Sequence, residues 1–276
     1  MTADSNAAIR RVLENPLCEV IPVDDILDQV GNLPTGATVS VTASPRKGMA
    51  ATIDLAVRLS DLGFEVVPHL SARLLSGRAE LAAILDRLDR ADVTQVLVVG
   101  GDGERSGPFP DGFSLLIAMK ELGHRLTGVG IPAYPEGHPN IPVDRLDAAL
   151  LAKQPLADSM TTQMCFSADR IVDWLAARRF SGVALPAILG MPGVADRLRL
   201  LRFSARIGVG DSLRFLRKHG SVAARITGFY NPAELLEGMG ARLDDPELGI
   251  EGVHIYTFNS CASTEQWRLR YLEALG

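Results

Sequence analysis

The chain has 276 residues, 47% of them hydrophobic, and a formal charge of −5, a length and apolar content that suit one α/β barrel of roughly 250 residues. Mild acidity argues against a nucleic-acid partner, which needs clustered Lys and Arg, and no apolar run approaches the ~20 residues that span a bilayer. Cys18, Cys165 and Cys261 stand far apart with no CxxC pair; with a start that lacks a signal-peptide core, this points to a soluble protein of the reducing cytoplasm.

In chain order, "CEVIPV" (18–23) and "TVSVT" (38–42) are the first predicted strands, followed by the helix "MAATIDLAVRLSDLG" (49–63). The strand "FEVVPH" (64–69), the helix "GRAELAAILDRLDRA" (77–91), the strand "QVLVVGG" (95–101) and the helix "GFSLLIAMKELG" (112–123) come next. The alternation continues with "LTGVGIP" (126–132), "VDRLDAALLAK" (143–153), "MTTQMCF" (160–166), "ADRIVDWLAARR" (168–179) and "ALPAILG" (184–190), and closes on "GVHIYTF" (252–258). The strand runs are mostly continuous in their apolarity, as in parallel strands buried on both faces. Several helices stop at Gly, the usual left-handed terminator.

Eight strands with intervening helices and no Pro/Gly/Ser-rich linker predict a single (β/α)8 TIM barrel over 1–276. Extra helices, among them "VADRLRLLRFSARIG", "DSLRFLRKHG" and "NPAELLEGMGARL", fill the long interval between the seventh and eighth strands. A doubly wound open sheet would give the same alternation, so the strand count carries the choice.

Barrel enzymes place their chemistry at the carboxyl ends of the strands. Those ends read Glu19, Thr42, His69, Asp102, the Tyr134–Glu136–His138 loop, Gln163 and Tyr256. A carboxylate in an apolar strand is costly to bury unless paired or functional, and function is the better reading for Glu19. Gly100, Gly101 and Asp102 allow close backbone approach to a ligand, though Gly-Asp-Gly is also ordinary turn chemistry. His69 divides evenly between a ligand contact and a satisfied core histidine. For His254, whose strand alternation leaves inward or outward open, a structural role leads. No two histidines have ligand spacing on one element, which argues against a catalytic metal.

Taken in order, "CEVIP", "VSVT", "EVVPHL", "GGD", "AYPEGHP", "TTQMCF", "RFSARIGV" and "HIYTFN" resemble the methylenetetrahydrofolate reductase family, from residue 18 to 259. "AYPEGHP" and the Thr-Gln pair are the more specific pieces. The resemblance implies a short, divergent member without the regulatory domain of the eukaryotic enzymes. It also implies reduction of 5,10-methylenetetrahydrofolate to 5-methyltetrahydrofolate by hydride transfer from NADH or NADPH through bound FAD. Glu19 resembles the family's catalytic acid and Asp102 the aspartate near flavin and pterin. Gln163 resembles the glutamine that hydrogen-bonds the pterin, and Phe203 the phenylalanine packed on folate or nicotinamide. Tyr256 is assigned to the folate side. Thr42, His69, Gly101, Asp102, Tyr134, His138 and Lys153 fall where the family contacts FAD. The chain departs from the pattern at Gly100, where the family usually carries the Arg of Arg-Gly-Asp, and in "TASPRKG", where it usually has an aromatic and a Gly-rich turn. Two alternatives follow: a flavin-independent reductase that takes hydride directly from NADH, and a folate- or flavin-binding barrel without catalysis.

Overall fold

A computed structural model describes residues 2–101, 107–196, 200–202 and 230–276. Eight strands, β1 (Leu17–Val20), β2 (Thr38–Val41), β3 (Glu65–Ser71), β4 (Gln95–Val99), β5 (Gly128–Ala133), β6 (Ser159–Thr162), β7 (Ala187–Pro192) and β8 (Ile250–Tyr256), pair in sequence order. Every pairing is parallel, and β8 returns to β1 to close the barrel. The (β/α)8 expectation therefore holds, and the open doubly wound sheet does not.

Every strand is bounded differently from the sequence reading by one or more residues, and two of these differences bear on the site. β1 ends at Val20, ahead of Pro22, which lacks the N–H a central strand needs. β3 runs on to Ser71 because His69, Leu70 and Ser71 pair with Leu97, Val98 and Val99. His69 therefore lies inside the barrel rather than at its rim. Between β7 and β8, the segment at 211–220 and most of the helix at 194–208 lie outside the described residues. "NPAELLEGMGARL" forms a helix (Ala233–Met239) and a 3₁₀ segment (Gly240–Asp244).

Strand alternation divides each strand between two environments. Cys18, Val20, Val39, Val41, Val66, Leu70, Val96, Val98, Val129 and Ile131 face outward into one apolar core shared with the helices. The helix Gly48–Asp61 supplies Met49, Thr52, Ile53, Leu55, Ala56 and Leu59 to its buried side, the spacing of one helical face. The inward positions are different in kind. Ser40, Val67, Leu97, Gly130, Thr161 and His254 line a lumen cavity of about 30 Å³, which is room for one or two waters. Barrels usually fill this space with branched aliphatics; here five of the twelve lining residues are polar.

α1 (Ala3–Glu14) packs against β8 and the 3₁₀ segment Gly240–Asp244 near the amino end of β8. Its Arg11 donates to the carbonyls of Leu243, Ile250 and Glu251 and pairs with Asp244 at 2.6 Å. From the last helix (Cys261–Ala274), Arg268 makes a bidentate pair with Glu265, 2.7 Å on each arm. Arg268 also donates to the carbonyls of Leu13 and Glu14, tying the two ends of the chain together. A groove of about 410 Å³ beside Arg11, Arg179, Asp244 and Asp245 opens at this end, the face of a barrel that serves stability rather than chemistry.

Candidate active site

Glu19 points into the lumen from β1, its side chain only 11% exposed. The parallel register sets Glu19 beside Ser40 on one side and Tyr256 on the other, with His254 opposite Leu17. Three strands thus bring one carboxylate and two imidazoles together. His254 Nε2 lies 3.0 Å from Glu19 Oε2, and His69 Nε2 lies 3.8 Å from the same oxygen. All three ligand-type atoms fall within 4.8 Å of one another. Spacing along single elements could not reveal this group, because each member comes from a different strand.

The backbone under Glu19 is held as firmly as its carboxylate. Thr257 Oγ1 donates to the Glu19 carbonyl at 2.6 Å. Asn259 clasps Ile21 from both sides, its Oδ1 accepting from Ile21 N and its Nδ2 donating to Ile21 O. These groups follow β8 in "YTFN", where Phe258 and Asn259 take left-handed φ values of 52° and 60°. Asn tolerates that region; a bulky residue there costs about 1–3 kcal/mol, a strain such sites commonly carry.

Burial decides the charge states around the carboxylate. The His69 pKa is pushed down to about 4, chiefly by burial, with His254 adding to the effect and Glu19 opposing it. His69 is therefore neutral near pH 7. Its Nε2 also lies 2.8 Å from Ser40 Oγ, which donates to the Val67 carbonyl and so offers His69 a lone pair. Tyr256 is held well above the ordinary phenol pKa by burial, then by Glu19 and then by Tyr134. It stays protonated and donates to the Thr162 carbonyl at 3.3 Å. Its ring needs Gly190: a Cβ there would fall 2.1 Å from Thr162 O and 3.0 Å from Tyr256 Cε2.

Above this layer lie the residues at the strand exits. Thr42 donates its N–H to Val20 O, continuing the β1–β2 ladder. Tyr134 and His138 meet edge to face with ring centroids 5.3 Å apart. A turn from the Tyr134 carbonyl to Gly137 N, with Gly137 at φ 81°, brings them together. Glu136 accepts from Cys165 Sγ at 3.1 Å, which ties the loop after β5 to the one after β6. Gln163 is anchored by its N–H to Ala133 O, and its Oε1 accepts from Met164 N. At Gly101, φ is 87° and a Cβ would fall 2.1 Å from Ser71 Oγ. That hydroxyl is buried and has no hydrogen-bond partner among the described residues.

The sequence-derived site is thus partly assembled. Glu19, His69 and Tyr256 converge in the lumen, while Thr42, Gly101, Tyr134, His138 and Gln163 follow the carboxyl ends of their strands. Lys153 stands apart, buried in the last turn of the helix Val143–Lys153. Burial lowers its pKa against the pull of Asp111. Asp102 and Phe203 lie outside the described residues. The structure adds His254, Ser40, Thr257 and Asn259. Reading every second residue of β2 and β8 as inward would have found Ser40 and His254. The polar "T-F-N" exit of the last strand was the available signal for the clasp. His254, for which the strand alternation left the direction open and a structural role led, faces inward and contacts Glu19 directly.

Residues 25–267 match the methylenetetrahydrofolate reductase family. Methylenetetrahydrofolate reductase 2 of Saccharomyces cerevisiae is 27% identical over 233 residues, 74% of this chain and 36% of the yeast protein. The chain therefore spans about a third of the length of that relative. Among solved structures, an uncharacterized protein from Clostridium thermocellum that binds two copies of 5-methyl-5,6,7,8-tetrahydrofolic acid aligns with a TM-score of 0.65 and 11% identity, over 96% of this chain and 98% of that one. A 2,3-dimethylmalate lyase of the PEP mutase/isocitrate lyase superfamily aligns at 0.52 with 13% identity, over 98% and 82%. At such identities these two structures speak to the barrel alone. Coverage of most of its length by the family pattern decides the matter: the chain belongs to the methylenetetrahydrofolate reductase family.

Proposed function

We propose that this chain reduces 5,10-methylenetetrahydrofolate to 5-methyltetrahydrofolate with hydride drawn from NADH or NADPH, and that Glu19 is the general acid. The observation that carries the proposal is a semi-buried carboxylate, braced by His254, at the heart of a barrel of this family. In the acid step Glu19 gives its proton to the ring nitrogen that departs. The bond from that nitrogen to the methylene carbon breaks, its electron pair staying on nitrogen, and a cationic iminium remains for the hydride to reduce. Gln163 would hold the pterin edge, Tyr256 would pack beside it, and Phe203 would cover folate or nicotinamide. Asp102 would offset the cationic charge. A lumen closed to bulk water strengthens each of these electrostatic contacts.

Bound FAD would relay the hydride between nicotinamide and folate. The fit to it is uneven. Tyr134, His138, Thr42 and the bare Ser71 hydroxyl beside Gly101 suit the ring system. On the diphosphate side, Gly100 replaces the family's usual Arg, and Lys153 is buried in a helix end. That replacement favours a second reading, in which the nicotinamide lies directly over the folate without flavin. Folate-dependent oxidation of NADH by the purified protein, followed with and without added FAD, tests both. A yellow protein bleached by NADH and recoloured by the folate supports the flavin route. A colourless protein that still turns over selects the direct route, and no folate-dependent turnover under either condition refutes the function.

A further inference from the structure

His254 is almost wholly buried, 1% exposed at its side chain, and its Nε2 lies 3.0 Å from Glu19 Oε2. Its other nitrogen, Nδ1, is also buried and has no hydrogen-bond partner among the described residues. A proton on Nε2 has Glu19 Oε2 as its acceptor at 3.0 Å, whereas a proton on Nδ1 would find no acceptor among the described residues and would forfeit that bond. The proton therefore sits on Nε2 and points at Glu19.

The same bare nitrogen bears on the other chemistry open to this cluster. A divalent metal held by Glu19, His69 and His254 would require both Nε2 atoms as lone-pair donors, and would drive the His254 proton to Nδ1. Metal-bound histidines ordinarily donate that second N–H to a carboxylate, carbonyl or water, and the described residues offer it no carboxylate or carbonyl. His69 Nε2 is in addition engaged with Ser40 Oγ at 2.8 Å. Hydrogen bonding, not metal ligation, is what this donor set is built for.

We propose that His254 is a positioning residue for the acid step: its Nε2–H holds Glu19 Oε2 as an acceptor and confines the transferable proton of Glu19 to Oε1. A protonated carboxyl left to itself distributes its proton over two oxygens and several rotamers, and only one arrangement delivers it to the substrate. His254 alone hydrogen-bonds Oε2 among the described residues, His69 Nε2 standing 3.8 Å away and turned to Ser40, and no hydrogen bond within the described residues engages Oε1. Glu19 is thus presented with one oxygen committed and the other available. His254 transfers no proton in this scheme, so it need not change charge during turnover. The inference rests on the acid role proposed above for Glu19.

Two measurements test it. Nitrogen-15 NMR of the histidine rings at neutral pH reads the tautomer without any turnover. The expected spectrum has His254 protonated at Nε2 and bare at Nδ1, with the Nε2–H signal displaced in Glu19→Gln. A ring protonated at Nδ1 overturns the proposal. Kinetics with NADH and methylenetetrahydrofolate read the consequence. His254→Met should lower kcat by about 10- to 100-fold, the scale of a misplaced catalytic group, with KM nearly unchanged. His254→Gln, which keeps an N–H near the same place, should recover most of that loss. In a Glu19→Gln background, His254→Met should cost little more. An equal loss in both backgrounds would show a purely structural role and refute the proposal. Should His254→Met fail to fold, the His254→Gln comparison and the tautomer decide. A wild-type protein with no folate turnover would sink the function, while the NMR result would still judge the hydrogen bond.

Discussion

Replacing Glu19 by Gln is the sharpest perturbation of the proposed chemistry because it removes little else. Gln has the same shape, so the outer packing of Cys18 and Val20 is untouched. The Glu19 carbonyl keeps its 2.6 Å bond from Thr257. The amide oxygen of Gln can still accept from His254 Nε2, now 3.0 Å from the carboxylate. What disappears is the acidic proton. General acid help is worth about 10²–10⁴ in rate, or about 3–5 kcal/mol of activation free energy. Glu19→Gln should therefore lose kcat by that factor, with the thermal unfolding midpoint and the KM for nicotinamide close to wild type. Folate-dependent NADH oxidation, paired with circular dichroism melting, measures both sides. Turnover within about tenfold of wild type in a folded Glu19→Gln protein would refute the assignment of the acid.

Three further outcomes follow from the packing. Arg268→Met leaves Glu265 buried without its partner and the Leu13 and Glu14 carbonyls without a donor; about 3–5 kcal/mol should be lost, which urea unfolding will register. Gly190→Ala puts a Cβ 2.1 Å from a carbonyl oxygen and against the Tyr256 ring, and should cost about 1–3 kcal/mol while disturbing folate turnover. His69, with a folded pKa of about 4 against ~6.5 when unfolded, takes up its proton more readily in the unfolded chain. Its contribution is complete above pH ~6.5 and is lost as pH falls toward about 4, by roughly 3 kcal/mol; His69→Gln should flatten that part of the stability–pH curve.

The barrel was legible because its signal is local. Runs such as "QVLVVGG" and "TVSVT" are apolar on both faces, and the intervening helices carry their own periodicity and Gly stops. Glu19 was legible for a related reason, since a carboxylate between Cys18 and Val20 has no cheap structural excuse. Its partners were not. His254 and Ser40 reach Glu19 only through the β8–β1–β2 register, and register is a property of the closed sheet rather than of any one segment. The end of β3 was misplaced by two residues because Leu70 and Ser71 belong to the strand only by virtue of pairing with Val98 and Val99. That small error moved His69 from the rim to the lumen, which changes its surroundings altogether.

The polar lumen makes the folding problem and the catalytic problem one. A carboxylate, two imidazoles, a phenol and two hydroxyls in the middle of a barrel can persist only if each finds a partner, since an unpaired buried polar group costs more than a good hydrogen bond returns. The pairs that meet this requirement also fix geometry: Thr257 and Asn259 lock the strand under Glu19, His254 orients its carboxylate, and Tyr256 packs over Gly190. Stability and the positioning of the proposed acid would therefore draw on the same contacts, as transition-state stabilisation by preorganised groups requires. The partly buried loop after β5, by contrast, is tied to the next loop through Glu136, which accepts from Cys165 Sγ. Substitutions that remove these lumen contacts should consequently lower stability and kcat together, unlike the isosteric Glu19→Gln, while those in the Tyr134–His138 loop should act first on cofactor affinity.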